Sequence, residues 1–187
     1  MNGESELSLQ GTVIAVASDT GHNFSKPTKT QITMIAGYGV EGDVHAGQYI
    51  QHRYLDRNKP QLPNNRQVHL IAGELFDEVS LAGFSVMAGQ LGENVTTEGL
   101  NLGGLPLGTL LHLGPSAVVE LTGLRTPCSL IDRFQKGLKR AMIGSKADRP
   151  RFRCGVLGVV RQSGVVSVGD AASALLPASP WHDLPAL

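Results

Sequence analysis

The sequence predicts a mainly β fold, either a barrel or a sandwich, with only a few short helices. Two observations carry this prediction. The 187 residues include 23 glycines and 10 prolines, which divide the chain into short segments. Between these turn-forming residues lie runs rich in Val, Ile, Leu and Thr, and short strands separated by turns are typical of barrels and sandwiches. The length fits one globular domain, or at most two.

Strands are predicted along most of the chain, and helices at two places. The predicted strands are Gly11–Ala17, Thr30–Ile35, Thr109–Leu113, Ala117–Leu121, Val156–Arg161 and Val165–Val168. Glu74–Ala82 has an apolar face and an acidic face, and Gly83 follows it where a C-terminal cap belongs. Ser129–Ile143 has apolar residues four apart, and its start fits a capping box formed by Ser129 and Asp132.

Composition and charge exclude several classes of protein. The 16 basic and 16 acidic side chains cancel, and the sequence pI is near 7.0. A neutral chain lacks the general attraction to phosphate that nucleic-acid binders and surface-bound membrane proteins use. No apolar run reaches the roughly 20 residues that a membrane span needs. The start of the chain does not have the pattern of a signal peptide, so we expect a cytoplasmic protein with no nucleic-acid or membrane partner.

The charges are nevertheless distributed unevenly. Residues 67–124 contain six acids and no Lys or Arg, whereas residues 125–153 contain nine bases and two acids. A basic segment after a cysteine and a helix start suits a small phosphate-bearing or oxyanionic ligand. Arg125 and Arg153 are the candidate residues for such a ligand. The alternative is a solvated basic helix followed by a basic loop.

The two cysteines are predicted to be separate thiols with different roles. Their spacing does not fit a zinc site, and a disulfide is not expected in a cytoplasmic chain. Cys128 follows Arg125 and precedes a predicted helix, and both features stabilise a thiolate. A thiolate can act as a nucleophile, a sulfur carrier or a metal ligand. Cys154 lies among Phe152, Gly155 and Val156 and fits a buried, apolar cysteine better.

Two polar segments are further candidates for the site. The loop Gly37–Arg66 is longer than most connections, and such loops are usually functional or disordered. It contains His45, which can bind an anion or donate a proton, whereas His69 sits in an apolar strand and is interpreted as a hydrogen-bonded barrel residue. In Gly89–Leu100, Glu93 and Asn94 are flanked by glycines. This segment is either a tight turn with a bulge or a polar corner that grips a ligand.

Five segments, in this order, resemble the MOSC domain, named for the C-terminal region of molybdenum-cofactor sulfurase. They are GVEGDVHAG (39–47), RQVHLI (66–71), LGENVTTEGL (91–100), GLRTPCSLI (123–131) and GVVSVGD (164–170). The resemblance implies one domain over residues 8–172, with tails at 1–7 and 173–187. It is similar to the small bacterial members that stand alone. Residues 48–65 form an insertion relative to the smallest of these.

The resemblance also implies a fold and a ligand. The fold is a closed, twisted β-barrel similar to the barrel domain of pyruvate kinase. The ligand is the molybdenum cofactor, a phosphate-bearing pterin dithiolene, held by one cysteine that binds molybdenum or carries sulfur. That cysteine matches Cys128. The other matching positions are Asp43, His45, Arg66, Glu93 and Asn94.

Three functional classes are open at this point. The first is a protein that binds the cofactor and hands on the cofactor or its sulfur, with a cysteine desulfurase as a possible partner. The second is a cofactor-dependent reductase of N-hydroxylated compounds, served by a separate electron donor. The third is a non-catalytic barrel that binds a phosphorylated ligand. We expect Cys128 to be central to the first two.

Overall fold

The computed structural model describes residues 9–50, 62–145 and 151–187 and shows a mainly β protein, as the sequence predicts. Its strands are β1 (Gln10–Ala17), β2 (Thr28–Lys29), β3 (Gln31–Ile35), β4 (Gly39–Val40), β5 (Val68–Ala72), β6 (Val95–Glu98), β7 (Leu110–Leu113), β8 (Ala117–Leu124), β9 (Val156–Gln162), β10 (Gly164–Ser167) and β11 (Ala171–Leu175). Its helices are α1 (Glu74–Leu81), α2 (Ser129–Phe134) and α3 (Leu138–Ala141), and Leu102–Gly104 form a 3-10 turn.

Seven strands close into a barrel in the order β11-β7-β8-β9-β5-β6-β1, and pairing between β1 and β11 completes the ring. The pairings within the ring are antiparallel except that of β5 with β6, which is parallel. A parallel pair needs a crossover connection, and α1 lies in it. Strand β2 extends the sheet beyond β1, and β10, β3 and β4 form a second small sheet.

Two apolar clusters support this architecture. The barrel interior is filled by side chains from every strand of the ring, including Val13, Leu70, Val95, Leu121 and Val160. The second cluster lies beneath the helices and joins Ile71, Leu75, Val79, Leu91, Ile131, Leu138, Met142 and Cys154. Because β5 alternates between the two clusters, it ties the barrel to the helical side where the candidate cysteines lie.

The six predicted strands correspond to β1, β3, β7, β8, β9 and β10. Strand β6 was not predicted, because its segment was interpreted as a turn or polar corner. Its two threonines, Thr96 and Thr97, are buried in the sheet, so the strand does not show an apolar pattern. The closed barrel that the resemblance implies is confirmed.

The predicted helix at 74–82 is confirmed as α1, but the predicted helix at 129–143 is two helices. Gly137 has a φ of 90°, which breaks the helical path between α2 and α3. Asp132 accepts a hydrogen bond from the Lys139 backbone N–H in α3 at 2.9 Å. Cys128 is the N-cap residue of α2, without a side-chain capping bond. The predicted capping box is therefore wrong.

The C-terminal segment 173–187, predicted as a tail, packs onto the barrel. It contains the end of β11, and Leu184 is buried. Leu187 donates its backbone N–H to the Leu124 carbonyl, and Leu124 donates to the Pro185 carbonyl. The tail predicted at residues 1–7 lies outside the described residues, as do residues 51–61 of the insertion. No helix in the described ranges is long and apolar enough to span a membrane.

Gly155, just before β9, tests how tightly the chain is packed next to Cys154. It has a φ of 97°, and an added Cβ would meet the Leu70 carbonyl oxygen and lie 2.7 Å from His69 Nε2. Gly169 has a similar φ of 92°, with nothing within 4 Å of an added Cβ. We expect Gly169→Ala to lower the free energy of unfolding by about 1 kcal/mol and Gly155→Ala by about 2–4 kcal/mol. Urea denaturation measures both, and equal losses would contradict this packing.

Candidate functional site

The site is built around the carboxylate of Asp43, which lies in the turn after β4. Its side chain is 0% exposed, and the ammonium group of Lys26, 2% exposed, lies 2.8 Å from Oδ2. Asn94 donates a hydrogen bond from Nδ2 to the same oxygen at 2.9 Å. An ionised group is stable in the interior only when it is paired and hydrogen-bonded. The three side chains therefore form one polar unit inside the protein.

Asn94 connects this unit to the barrel. Its Nδ2 also donates to the Ala17 carbonyl at the end of β1, at 3.1 Å. Its Oδ1 accepts from the His69 backbone N–H in β5, at 3.2 Å. The buried amide thus fixes the position of the Asp43 carboxylate relative to two barrel strands.

His45 lies at the solvent edge of the unit. Its backbone N–H donates to Asp43 Oδ1 at 3.0 Å, and its ring Nδ1 lies 3.3 Å from that oxygen. The side chain is 53% exposed, and its ring meets the His22 ring edge-on with centroids 6.5 Å apart. Because an ionised carboxylate only accepts, the hydrogen belongs on Nδ1, and Nε2 is the proton acceptor.

The charges of the Asp43–Lys26 pair follow from their surroundings. Burial opposes the ionisation of Asp43, but hydrogen bonds from His45 and the nearby Lys26 charge outweigh it and keep the pKa of Asp43 well below its usual 3.8. Burial lowers the pKa of Lys26 from its usual 10.5, and Asp43 partly restores it. The pair is therefore an ion pair at neutral pH, with the Lys26 charge compensated.

Glu93 is a second buried carboxylate, and it bonds to backbone groups of a turn instead of to a cation. It accepts hydrogen bonds from the backbone N–H groups of Gly89 and Leu91 and from the Thr96 hydroxyl. Burial raises the pKa of Glu93. Gly89 in turn accepts the Lys26 backbone N–H at 2.8 Å. Glu93 therefore holds the turn against which the Lys26 segment packs.

Arg125, directly after β8, supplies a second cation near the buried unit. It is half-buried and donates from Nη1 to the Leu91 carbonyl at 2.9 Å. Its charge acts on Lys26, His69 and Glu93, whose pKa values it shifts. Within the described part of the chain it has no carboxylate partner at salt-bridge distance, and its Nε and Nη2 make no hydrogen bond.

Cys128 and Cys154 differ in burial, and the buried position predicted for Cys154 is confirmed. Cys154 is fully buried, its Sγ donates to the Arg125 carbonyl at 2.9 Å, and burial raises the pKa of its thiol to about 11. Burial also lowers the pKa of His69 well below its usual 6.5, so His69 is neutral and donates from Nε2 to the Cys154 carbonyl at 2.8 Å. Cys128 is only half-buried, and it packs against the cluster beneath the helices.

The structure brings together some of the predicted site residues and not others. Asp43 is in direct contact with His45 and Asn94. Glu93 and Arg125 both bond to the 89–92 turn nearby, Glu93 to the Gly89 N–H and Arg125 to the Leu91 carbonyl. Arg66 has an exposed side chain, and within the described ranges only its backbone N–H is bonded, to Asn64. Arg153 is exposed and pairs with Glu78 of α1. Neither arginine bonds to the buried unit within the described ranges.

Lys26 is the site residue that sequence reasoning missed. It occurs in a short polar stretch, NFSKPTK, where a lysine normally faces solvent. Its burial depends on Asp43 and Gly89, which are distant along the chain. In the described segments, His, Cys, Asp and Glu side chains do not form a group of three or more that could hold a metal ion.

The comparisons with known proteins place the chain in a family. The family model of the MOSC domain matches residues 41–173, which include Asp43, Asn94, Arg125 and Cys128. The chain belongs to the MOSC domain family. A search of curated proteins finds no match.

Solved structures agree with the MOSC fold. YuaD from Bacillus subtilis has a TM-score of 0.75 at 20% identity, covering 91% of this chain and 98% of YuaD. YiiM from Escherichia coli has a TM-score of 0.62 at 17% identity, covering 91% of this chain and 73% of YiiM. YiiM from Geobacillus stearothermophilus has a TM-score of 0.64 at 18% identity, covering 92% and 77%. These likenesses support the fold alone.

The ion pair of this MOSC protein makes a prediction about stability. Asp43→Asn leaves Lys26 buried without a counter-charge, so we expect the free energy of unfolding at pH 7 to fall by about 3–5 kcal/mol. Asp77→Asn, on the exposed face of α1, is the matched control and should cost less than about 1 kcal/mol.

The pH dependence of that difference has a definite sign. The native pKa of Asp43 lies below 3.8, so its contribution is complete above that pH and is lost as the pH falls toward the native value. The difference in the free energy of unfolding between wild type and Asp43→Asn, measured by urea denaturation, should therefore become smaller below pH 3.8. A difference that stays constant from pH 7 to pH 3 would contradict the ion pair.

The two thiols of the MOSC protein should differ in accessibility. We expect iodoacetamide to alkylate Cys128 in the native protein and to leave Cys154 unmodified, because Cys154 is fully buried with a raised pKa. Peptide mass spectrometry locates the label, and protein alkylated in urea, where both thiols react, is the control. Native labelling of Cys154 at the same rate as Cys128 would show that the assignment is wrong.

Proposed function

We propose that this protein binds the molybdenum cofactor, with the Cys128 thiolate as the protein ligand to molybdenum, and hands on the cofactor or its sulfur. The proposal rests on two neighbouring features: the half-buried Cys128, and the Arg125 guanidinium, which has no carboxylate partner among the residues that the structure describes. Cys128 and Arg125 both lie close enough to Cys154 to shift its pKa, and both belong to the segment matched by the MOSC model.

The residues present suit such a ligand. A phosphate needs a cation whose charge is still available, and Asp43 already compensates Lys26. Among the described residues, Arg125 bonds to a backbone carbonyl and not to an acid, so its positive charge and its remaining N–H donors are available to an anion. We assign Arg125 to the anionic part of the cofactor. Lys26, Asp43, Asn94 and Glu93 hold the neighbouring turns in place.

In this proposal, Cys128 is the residue that binds the metal or carries the sulfur. A thiol binds a metal only after losing its proton, so Cys128 must ligate as a thiolate. As a sulfur carrier, the same thiolate attacks the terminal sulfur of a persulfide on a cysteine desulfurase. The donor's S–S bond breaks, the donor leaves as a thiolate, and Cys128 gains the persulfide. When bound, the cofactor supplies redox chemistry at molybdenum.

His45 favours a second candidate, the reduction of N-hydroxylated compounds with electrons from a separate donor. Such a reduction consumes protons. His45 is exposed, and Asp43 orients it so that Nε2 faces away from the buried unit. Nε2 can therefore take up a proton from solvent and pass it to a molecule bound at the edge of the site. We further propose a cytoplasmic location, because both cysteines are free thiols.

Molybdenum content tests the principal proposal. We expect protein purified anaerobically from a cofactor-producing host to contain molybdenum, and Cys128→Ala to lose it while keeping the wild-type circular dichroism spectrum. Cys154→Ala, which removes the buried thiol, is the matched control and should retain the metal. Stoichiometric molybdenum in Cys128→Ala would overturn the ligand assignment. Absence of molybdenum from the wild type would favour a transient sulfur handler or a different phosphorylated ligand.

Arg125 is tested separately. We expect Arg125→Gln to weaken cofactor binding roughly tenfold, because one charge-assisted contact to an anion is lost. The difference from wild type should shrink as salt rises, since salt screens the charge of a half-buried guanidinium. Arg133→Gln, on the exposed face of α2, is the control and should bind like wild type. If Arg125→Gln binds the cofactor with wild-type affinity, Arg125 has a structural role and does not contact the cofactor.

A further inference from the structure

A cavity of about 400 Å³ lies under the C-terminal segment, between that segment, the 3-10 turn and the end of β8. None of Lys26, Asp43, His45, Asn94 and Cys128 lines it, so it is separate from the candidate cofactor site. Its volume falls within the range of small-molecule sites, roughly 300–1,000 Å³.

The walls of the cavity are mostly apolar and include two aromatic rings, and Arg151, His182 and Asp183 are its ionisable residues. Leu105, Pro106 and Leu184 contribute aliphatic surface, and Phe152 and Trp181 contribute the rings. Trp181 donates its indole N–H to the Pro177 carbonyl at 2.9 Å. That bond fixes the indole and satisfies its donor, so the ring is available for stacking rather than for hydrogen bonding. Although it lines a cavity, Trp181 is 52% exposed.

Arg151 gives the cavity a cationic edge. Its guanidinium lies over the Phe152 ring, 5.5 Å from the centroid, and its side chain is exposed. Its backbone carbonyl accepts the Gly144 N–H at 2.8 Å, which anchors the residue. Asp183, the acidic residue of the lining, already interacts with another group. A planar guanidinium beside aromatic walls matches a carboxylate attached to an aromatic ring.

We propose that this cavity is a second binding site, for a small planar aromatic carboxylate whose ring packs against Trp181 and the aliphatic wall and whose carboxylate pairs with Arg151. The site is independent of the cofactor proposal, because no residue is shared between the two. Its ligand enters from the exposed side of Trp181.

Trp181 provides the readout, because it is the single tryptophan in the chain. Its indole N–H therefore gives one indole cross-peak in a nitrogen-15 correlation spectrum. We expect biphenyl-4-carboxylate to shift this peak saturably at concentrations below about 1 mM, and the neutral biphenyl-4-carboxamide to bind roughly tenfold more weakly. An indole peak that does not move with either compound up to that concentration would overturn the proposal.

Two variants test the contact with the carboxylate and the binding in the cavity separately. Arg151→Gln should remove the preference for the carboxylate over the carboxamide without abolishing binding of either. Ala186→Phe places a ring in the cavity from an exposed lining position and should abolish binding of both. Ala82→Phe, at the exposed end of α1, is the matched control and should bind like wild type. Wild-type binding by Ala186→Phe, or an unchanged preference in Arg151→Gln, would contradict the site.

Discussion

The buried ion pair between Asp43 and Lys26 is the constraint on which the rest of the candidate site depends. Its residues come from two loops, and Asn94 joins them to the barrel from a position 51 residues beyond Asp43. Removing two charges from water costs free energy unless the charges are closely paired and hydrogen-bonded. The pair therefore specifies one arrangement of these loops. It also compensates the Lys26 charge, whereas Arg125 has no carboxylate partner in the described part of the chain.

The two cysteines show how local structure separates roles within one residue type. Cys154 is enclosed by β5 and the helical cluster, and its thiol and its carbonyl are both hydrogen-bonded. Cys128 begins a short helix at the boundary of the same cluster, where the residue is only half-buried. The barrel and helices thus leave one cysteine partly accessible and use the other to anchor the segment before β9.

Much of the fold could be predicted from the sequence, because β-branched runs between glycines mark most barrel strands. Polar residues in the glycine-rich segments likewise pointed to Asp43, His45 and Asn94. Lys26 could not be found this way, since its burial comes from distant partners. The break at Gly137 was missed because the apolar spacing of α2 continues into α3, although the φ of 90° interrupts the helix. The packing of residues 173–187 depends on contacts with β8 that no local pattern reveals.

The proposed function depends on the direct binding of molybdenum by Cys128. X-ray absorption at the molybdenum edge tests this binding on wild-type protein reconstituted with cofactor, with the free cofactor as the reference. We expect the protein-bound cofactor to show one more sulfur neighbour around molybdenum than the free cofactor, because the thiolate adds to the cofactor's own sulfurs. An identical number of sulfur neighbours in the bound and the free cofactor would contradict direct binding and leave Cys128 as a residue of the helix start alone.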